Sequence, residues 1–358
     1  MIPVIPAPIP VPQPAPAWLL QFLLVFTFIL HLLPMSFLLG GVVMLTVSAF
    51  RGRSDSRHRE LARRGMQAMP AVVAFAITLG VAPLLFLQLV YGRLFYTSSV
   101  LMAWFWLAVV FLVLLGYYGV YWFDLQQEEL GRRAAWVMLA TAIIFLDVAF
   151  IFSRNMTAML HPEDFYKQFL NGEVGSIFGP LTNSGLARFL HFVVAALAMA
   201  GLGTALLSRI WRKDAPEFAA WAHRYGLRWF QAGIGSEFLV GLWFVFSLPP
   251  QVRGQFLGQS QLGTGLLVAA VLLAIVALVA ARHSLTVSTA AIVVTVSLMG
   301  VIRHLVRVAY LQPYFDPGSE PVRGQWVVFT LFALLLVAGI ATVAWMLYVF
   351  FRPTARPA

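Results

Sequence analysis

The segment Thr295–Leu311, TVSLMGVIRHLVRVAYL, decides how this sequence is read. Its composition is that of a membrane helix, and about 20 mostly apolar residues suffice to cross a bilayer. Yet Arg303, His304 and Arg307 fall within five positions. A charged side chain at the centre of such a helix costs about 2.5–3.5 kcal/mol on insertion scales. Either the arginines snorkel to headgroups from near the helix end, or a buried anion collects them.

The rest of the chain sets the environment. Of its 358 residues, 61% are hydrophobic and 11% charged, and the mean hydropathy is +0.85. Soluble domains carry about 25% charged residues. The expectation is an all-α, polytopic transmembrane bundle with most of its mass in the lipid bilayer. Nine stretches are candidate spans: roughly 18–50, 66–92, 98–123, 132–160, 186–211, 225–248, 261–281, 285–312 and 324–351. The connections are short, although 161–185 is long enough for a small surface cap. The domain reading is a proline-rich arm (1–17), a transmembrane domain (18–351) and a tail (352–358). The arm opens MIPVIPAPIPVPQPAP, with seven prolines and no charge. It lacks the basic start of a signal peptide, and alternating proline favours extended polyproline II. It reads either as an arm lying on a partner or as a disordered tail.

The net charge is +10. In a membrane protein this reflects cytoplasmic loops, so no nucleic-acid partner is expected. Sixteen of the 24 Lys and Arg fall in connections on one side: the 51–65, 124–133, 209–228 and 281–284 regions and the tail. Basic loops face the cytoplasm, which places the N-terminus outside and suits a bacterial inner membrane. Against this rule, Arg154, Arg188, Arg303 and Arg307 lie within the outer ends of spans. The absence of cysteine excludes thiolate metal sites and covalent c-type haem attachment in this chain.

Of the seven histidines, His58, His223 and His283 fall among cytoplasmic arginines. Four belong to the outer half: His31, His161, His191 and His304. His191 lies about five residues into the fifth span, roughly 8 Å below its start, and His304 about eight residues from the outer end of the eighth, roughly 12 Å deep. Arg188 precedes His191 by three residues and Arg307 follows His304 by three, so each arginine sits on its histidine's face, one turn outward. Imidazole is a good haem-iron ligand, and the planar guanidinium suits carboxylates. The pattern points to a haem b between His191 and His304, with Arg188, Arg303 and Arg307 on its propionates. The alternative for each histidine is a hydrogen-bonded packing role. His31, beside Pro34, is the candidate for a second haem. His161 reads as a loop residue.

Two acids lie in apolar runs, Asp147 in IIFLDVAFIF and Glu237 in GIGSEFLVG. Intramembrane acids suggest proton relays, quinone contacts or ion pairs; the alternative is a helix–helix hydrogen bond. The Gln-rich PPQVRGQFLGQS after the sixth span is a candidate quinone-proximal loop. The aromatic-rich stretch around 81–107 reads as an interfacial connection between the second and third spans.

With these residues in hand, the sequence resembles subunit I of cytochrome bd-type quinol oxidases, in a shortened form. LHLLPMSFLLGGVVML is similar to that family's first helix, and the resemblance gives His31 the place of its haem ligand. LARFLHFVVAALAMAGLG is similar to the fifth helix, which gives His191 the place of a low-spin haem b ligand. The family's second ligand is a methionine soon after an arginine. IRHLVR matches the arginine at Arg303 but offers His304 where the methionine would be. The third span, SSVLMAWFWLAVVFLVLL, lacks the glutamates that serve oxygen reduction in that family, and the long quinol loop is missing. The expected function is therefore electron transfer between membrane quinol or quinone and a c-type cytochrome or other redox subunit outside, without oxygen reduction. The alternatives are a haem-free, NrfD-like quinone-binding anchor of an oxidoreductase and a transporter.

Overall fold

The computed structural model describes residues 12–172, 174–176 and 182–351. Residues 1–11 of the expected arm and the expected tail, 352–358, lie outside the described residues. The chain is an all-α bundle of α1 (Ala17–Arg51), α2 (Ser56–Met102), α3 (Trp104–Leu130), α4 (Ala134–Ala158), α5 (Phe165–Leu170), α6 (Asn183–Trp211), α7 (Pro216–Ser247), α8 (Pro250–Gly254), α9 (Gln261–Ala280), α10 (Leu285–Leu311) and α11 (Trp326–Phe351). Among the described residues, nine of these helices are long and apolar enough to cross a membrane; α5 and α8 are short connectors.

The helix starts follow capping chemistry. Side chains of Asp55, Thr182, Ser260 and Ser284 accept hydrogen bonds from backbone amides two or three residues on, satisfying donors that have no intrahelical partner. The spans alternate in direction. The connections at 52–55, 131–133, 212–215 and 281–284 therefore share one arginine-rich end, and an Arg64–Asp214 pair at 3.3 Å joins two of them. The remaining connections gather at the opposite, arm end.

The second and third spans differ from expectation. The stretch read as a connection is helical, so α2 runs 47 residues to Met102, with a non-helical Tyr91 (φ −120°, ψ 26°) marking a kink. At about 1.5 Å per residue it is roughly 70 Å long, far more than a 30 Å hydrocarbon core needs. The break falls at Ala103, whose φ of +46° is the one positive value at a non-glycine among the described residues. Val174–Ser176 closes over this corner, where the Gly175 amide donates to the Leu101 carbonyl at 2.8 Å.

The described part of the proline-rich arm is docked. Gln13 donates to Pro321 O at 2.8 Å, Arg323 donates to Gln13 O at 2.9 Å and Gln325 donates to Pro14 O at 2.8 Å. Gln13 is 3% exposed and Ala15 is fully buried. This part of the arm therefore seals against the segment before α11 in its own chain.

Small residues set the packing that positions the site. A Cβ on Gly226 would sit 2.6 Å from the Gly201 carbonyl oxygen, so α6 and α7 cross in backbone contact. Lipid supplies no hydrophobic drive between helices, and close approach of small residues replaces it. Gly40 packs similarly on the Ala196 backbone and draws α1 onto α6. By contrast α11 touches the core along one edge, through Phe329, Phe332 and Leu336.

Candidate cofactor site

From the α6–α7 crossing toward the arm end the two helices carry His191 and Glu237 to the same level, and a Glu237 carboxylate oxygen faces His191 Nδ1. Phe244, two turns further along α7, stacks on the imidazole with ring centroids 5.8 Å apart. With Nδ1 turned to the carboxylate, Nε2 is the nitrogen on the far side of the ring. This arrangement orients metal-binding histidines and raises their basicity.

His191 and Glu237 line a cavity of about 560 Å³ bounded by α1, α6, α7, α9 and α10. Drug- and cofactor-sized sites fall at about 300–1,000 Å³. Its walls are apolar and aromatic apart from the hydroxyls of Ser36 and Thr295, the His191–Glu237 pair and three arginines: Arg188, Arg303 and Arg307. Arg188 is 7% exposed and Arg307 4%. Their guanidinium groups lie over rings, Arg188 on Phe244 at 5.6 Å, Arg303 on Phe28 at 4.3 Å and Arg307 on Tyr91 at 5.3 Å. Such contacts contribute about 2 kcal/mol or more each when desolvated, but they leave the hydrogen-bonding forks without partners among the described residues. None of the three pairs with a carboxylate among the described residues. Arg303 also feels the charges of both Arg307 and Arg188. Three mutually repelling cations around one apolar cavity make a setting in which an anion would offset their burial. The cavity reaches the bundle surface where α7 and α9 part, since the exposed Leu242 and Val271 are among its lining.

The other sequence-predicted residues are placed differently. His304 is absent from the cavity wall. One position on from Arg303, it is turned about 100° around α10, and its Nδ1 is enclosed without a hydrogen-bond partner among the described residues. His31 also stands off the wall, with Nδ1 bonded to the Ala76 carbonyl at 2.9 Å. The glycine at position 80 makes room for its ring: a Cβ there would lie 2.9 Å from His31 Cε1. His161 belongs to the arm-end cap, bonded to Glu163 at 3.1 Å with its ring edge-on to Tyr310. Asp147 is exposed on α4, away from the cavity. The Gln-rich connection after α7 does reach the site, through Phe256 and Leu257 on the cavity wall.

Sequence reasoning missed Met299. It lines the cavity and precedes Arg303 by four residues, which puts it on the same face of α10. The spacing that finds it runs backward from Arg303, against the arginine-then-methionine order of the bd-type oxidases. Phe28 and Phe244 were missed because aromatic residues are too common in spans to single out.

No family model matches the chain, and no curated protein matches it in sequence. Among solved structures, the bundle superposes on the bd oxidase from Geobacillus thermodenitrificans with a TM-score of 0.63 at 12% identity, covering 96% of this chain and 100% of that one. At this identity the similarity is one of fold, and it gives the chain a bd-oxidase-like architecture.

Proposed function

We propose that the chain is a b-type membrane cytochrome that passes electrons between quinol or quinone and a redox subunit on the outer face, such as a c-type cytochrome. The observation that carries this reading is the convergence of His191, backed by Glu237, with Arg188, Arg303 and Arg307 on one apolar cavity. These residues suit haem b. His191 Nε2 would hold its iron, and the three guanidinium forks would hold its two propionates, because planar donors bind carboxylates bidentately. When bound, the haem supplies one-electron chemistry. The chain's own residues do the rest: Glu237 fixes the imidazole tautomer, the arginines hold the negative edge, and the apolar walls exclude water. The wall supports Met299 on α10 as the second ligand, ahead of His304. His31, with Nδ1 satisfied by a carbonyl, keeps Nε2 for a second haem.

The gap between α7 and α9 supports entry of a lipid-soluble quinol from the bilayer, with Glu237 near its path as a proton acceptor. The arginine-rich end is read as cytoplasmic, which places the N-terminus outside in a bacterial inner membrane.

A second reading rests on the same gap. A cavity that opens to lipid and holds a His–Glu pair also suits quinone alone, as in a haem-free, NrfD-like anchor. Dithionite-reduced spectra of the purified protein decide. A haem b α-band lost in His191→Ala supports the cytochrome, and no band in the wild type rejects it.

A further inference from the structure

Among the charged residues within the spans, Arg188, Glu237, Arg303 and Arg307 line the cavity, and Asp147 stands apart from them. Asp147 sits near the midpoint of the 25-residue α4 and is exposed. It has no hydrogen bond or ion pair among the described residues. The register with α3 supports its depth: a Cβ on Gly116, midway along α3, would meet the Phe145 ring at 2.8 Å. On α4 the buried side is made by Met138, Ala142 and Phe145. Asp147 continues the opposite stripe, with Trp136, Ala140 and Ile143, all exposed. Their spacing of four, three and four is the seam by which one helix packs along another. Two turns on, Arg154 occupies the same stripe but is 9% exposed, lining a small void with His161, Asp164 and Gln168 of the arm-end cap. The chain thus covers the arm-end part of this stripe itself, packs one edge of Trp136 against Phe50 at the other end, and leaves Ala140, Ile143 and Asp147 open.

A carboxylate facing hydrocarbon is costly, and intramembrane acids face protein or water. We propose that the Trp136–Asp147 stripe of α4 is the docking surface for a transmembrane helix of a different subunit, one that carries a basic side chain at mid-bilayer depth opposite Asp147. Charge complementarity selects this occupant over a second copy. The chain's own span cations Arg188, Arg303 and Arg307 are turned inward around the cavity, so a second copy meeting stripe to stripe would set carboxylate against carboxylate. This inference is independent of the haem reading, since the stripe shares no residue with the cavity wall.

The test uses the full chain, donor-labelled in vesicles, with two acceptor-labelled Leu/Ala-rich spanning peptides identical except for a central Lys or a central Leu. Energy transfer should show the Lys peptide binding at least tenfold tighter than the Leu peptide. That preference should vanish in Asp147→Asn and Asp147→Leu and persist in Asp124→Asn, an acid near the end of α3. Equal binding of the two peptides would overturn the proposal, as would a Lys preference that survives both Asp147 changes. Asp147-dependent self-association of the chain without peptide would overturn it in favour of a second copy. Asp147→Asn is nearly isosteric, and its circular dichroism verifies that it is folded.

Discussion

Glu237 on α7 faces His191 on α6 at the imidazole Nδ1, about three turns beyond the crossing where Gly201 and Gly226 bring the two backbones together. The glycines set the spacing and the carboxylate sets the ring. Glu237→Gln keeps an acceptor for Nδ1–H but removes the charge, so haem should remain bound with a raised reduction potential. Glu237→Ala removes the partner altogether. Loss of such a supporting contact typically costs about 10–100-fold in affinity for the metal centre. Potentiometric titration and haem titration of the two variants check this; identical behaviour to wild type in both would remove Glu237 from the site.

The three arginines make a prediction with opposite signs in the two states of the protein. Without an anion, Arg307→Met removes a buried cation that has no carboxylate partner among the described residues, so the empty chain should be no less stable. With haem bound, the same change removes charged hydrogen bonds of about 1.5–3 kcal/mol each, which is roughly 10–100-fold in haem affinity. Thermal unfolding of haem-free and haem-loaded protein, compared for wild type and Arg307→Met, reads both signs at once. A purely structural arginine would give destabilisation in both states.

The class of fold was legible from composition alone, because a 61% apolar chain with 11% charge has few other options. The nine spans were legible too, since each helix must satisfy its own backbone and so needs an apolar run of sufficient length. The α2–α3 corner was not. Residues 92–102 remain helical although they include Arg93, Thr97, Ser98 and Ser99, and those hydroxyls cap carbonyls one turn back within α2 itself. The site was half legible. The i, i+3 spacings of Arg188–His191 and His304–Arg307 named three of its residues, with Arg303 beside them as a fourth. A one-dimensional pattern fixes which residues share a face, but it does not say which of two neighbouring faces looks into the cavity. His304 and Met299 differ by that choice.

Ala103 holds φ +46° and ψ −116°, a region disfavoured by a β-carbon and natural for glycine. Residues held in sparsely populated backbone regions cost about 1–3 kcal/mol. Ala103→Gly should therefore raise the unfolding midpoint, by an amount partly offset by the greater freedom of glycine in the unfolded chain. Ala103→Val should lower it. A melt series in detergent that ordered the three proteins otherwise would show that the corner is not strained.

The α10 ligand can be decided by paired variants. His304 and Met299 lie five residues apart, and only Met299 is on the cavity wall. If Met299 is the second ligand beside His191, Met299→Leu should abolish the low-spin spectrum or convert it to high spin, because leucine fills the volume without a sulfur. His304→Ala should then leave the reduced α-band in place. Met299→His should restore a low-spin signal with a lower potential, since methionine ligation raises it. If instead His304 turns inward when the cofactor binds, the outcomes exchange: His304→Ala loses the low-spin band and Met299→Leu keeps it. Near-infrared magnetic circular dichroism of the oxidised protein separates His–Met from His–His ligation directly, so the assignment does not rest on the variants alone.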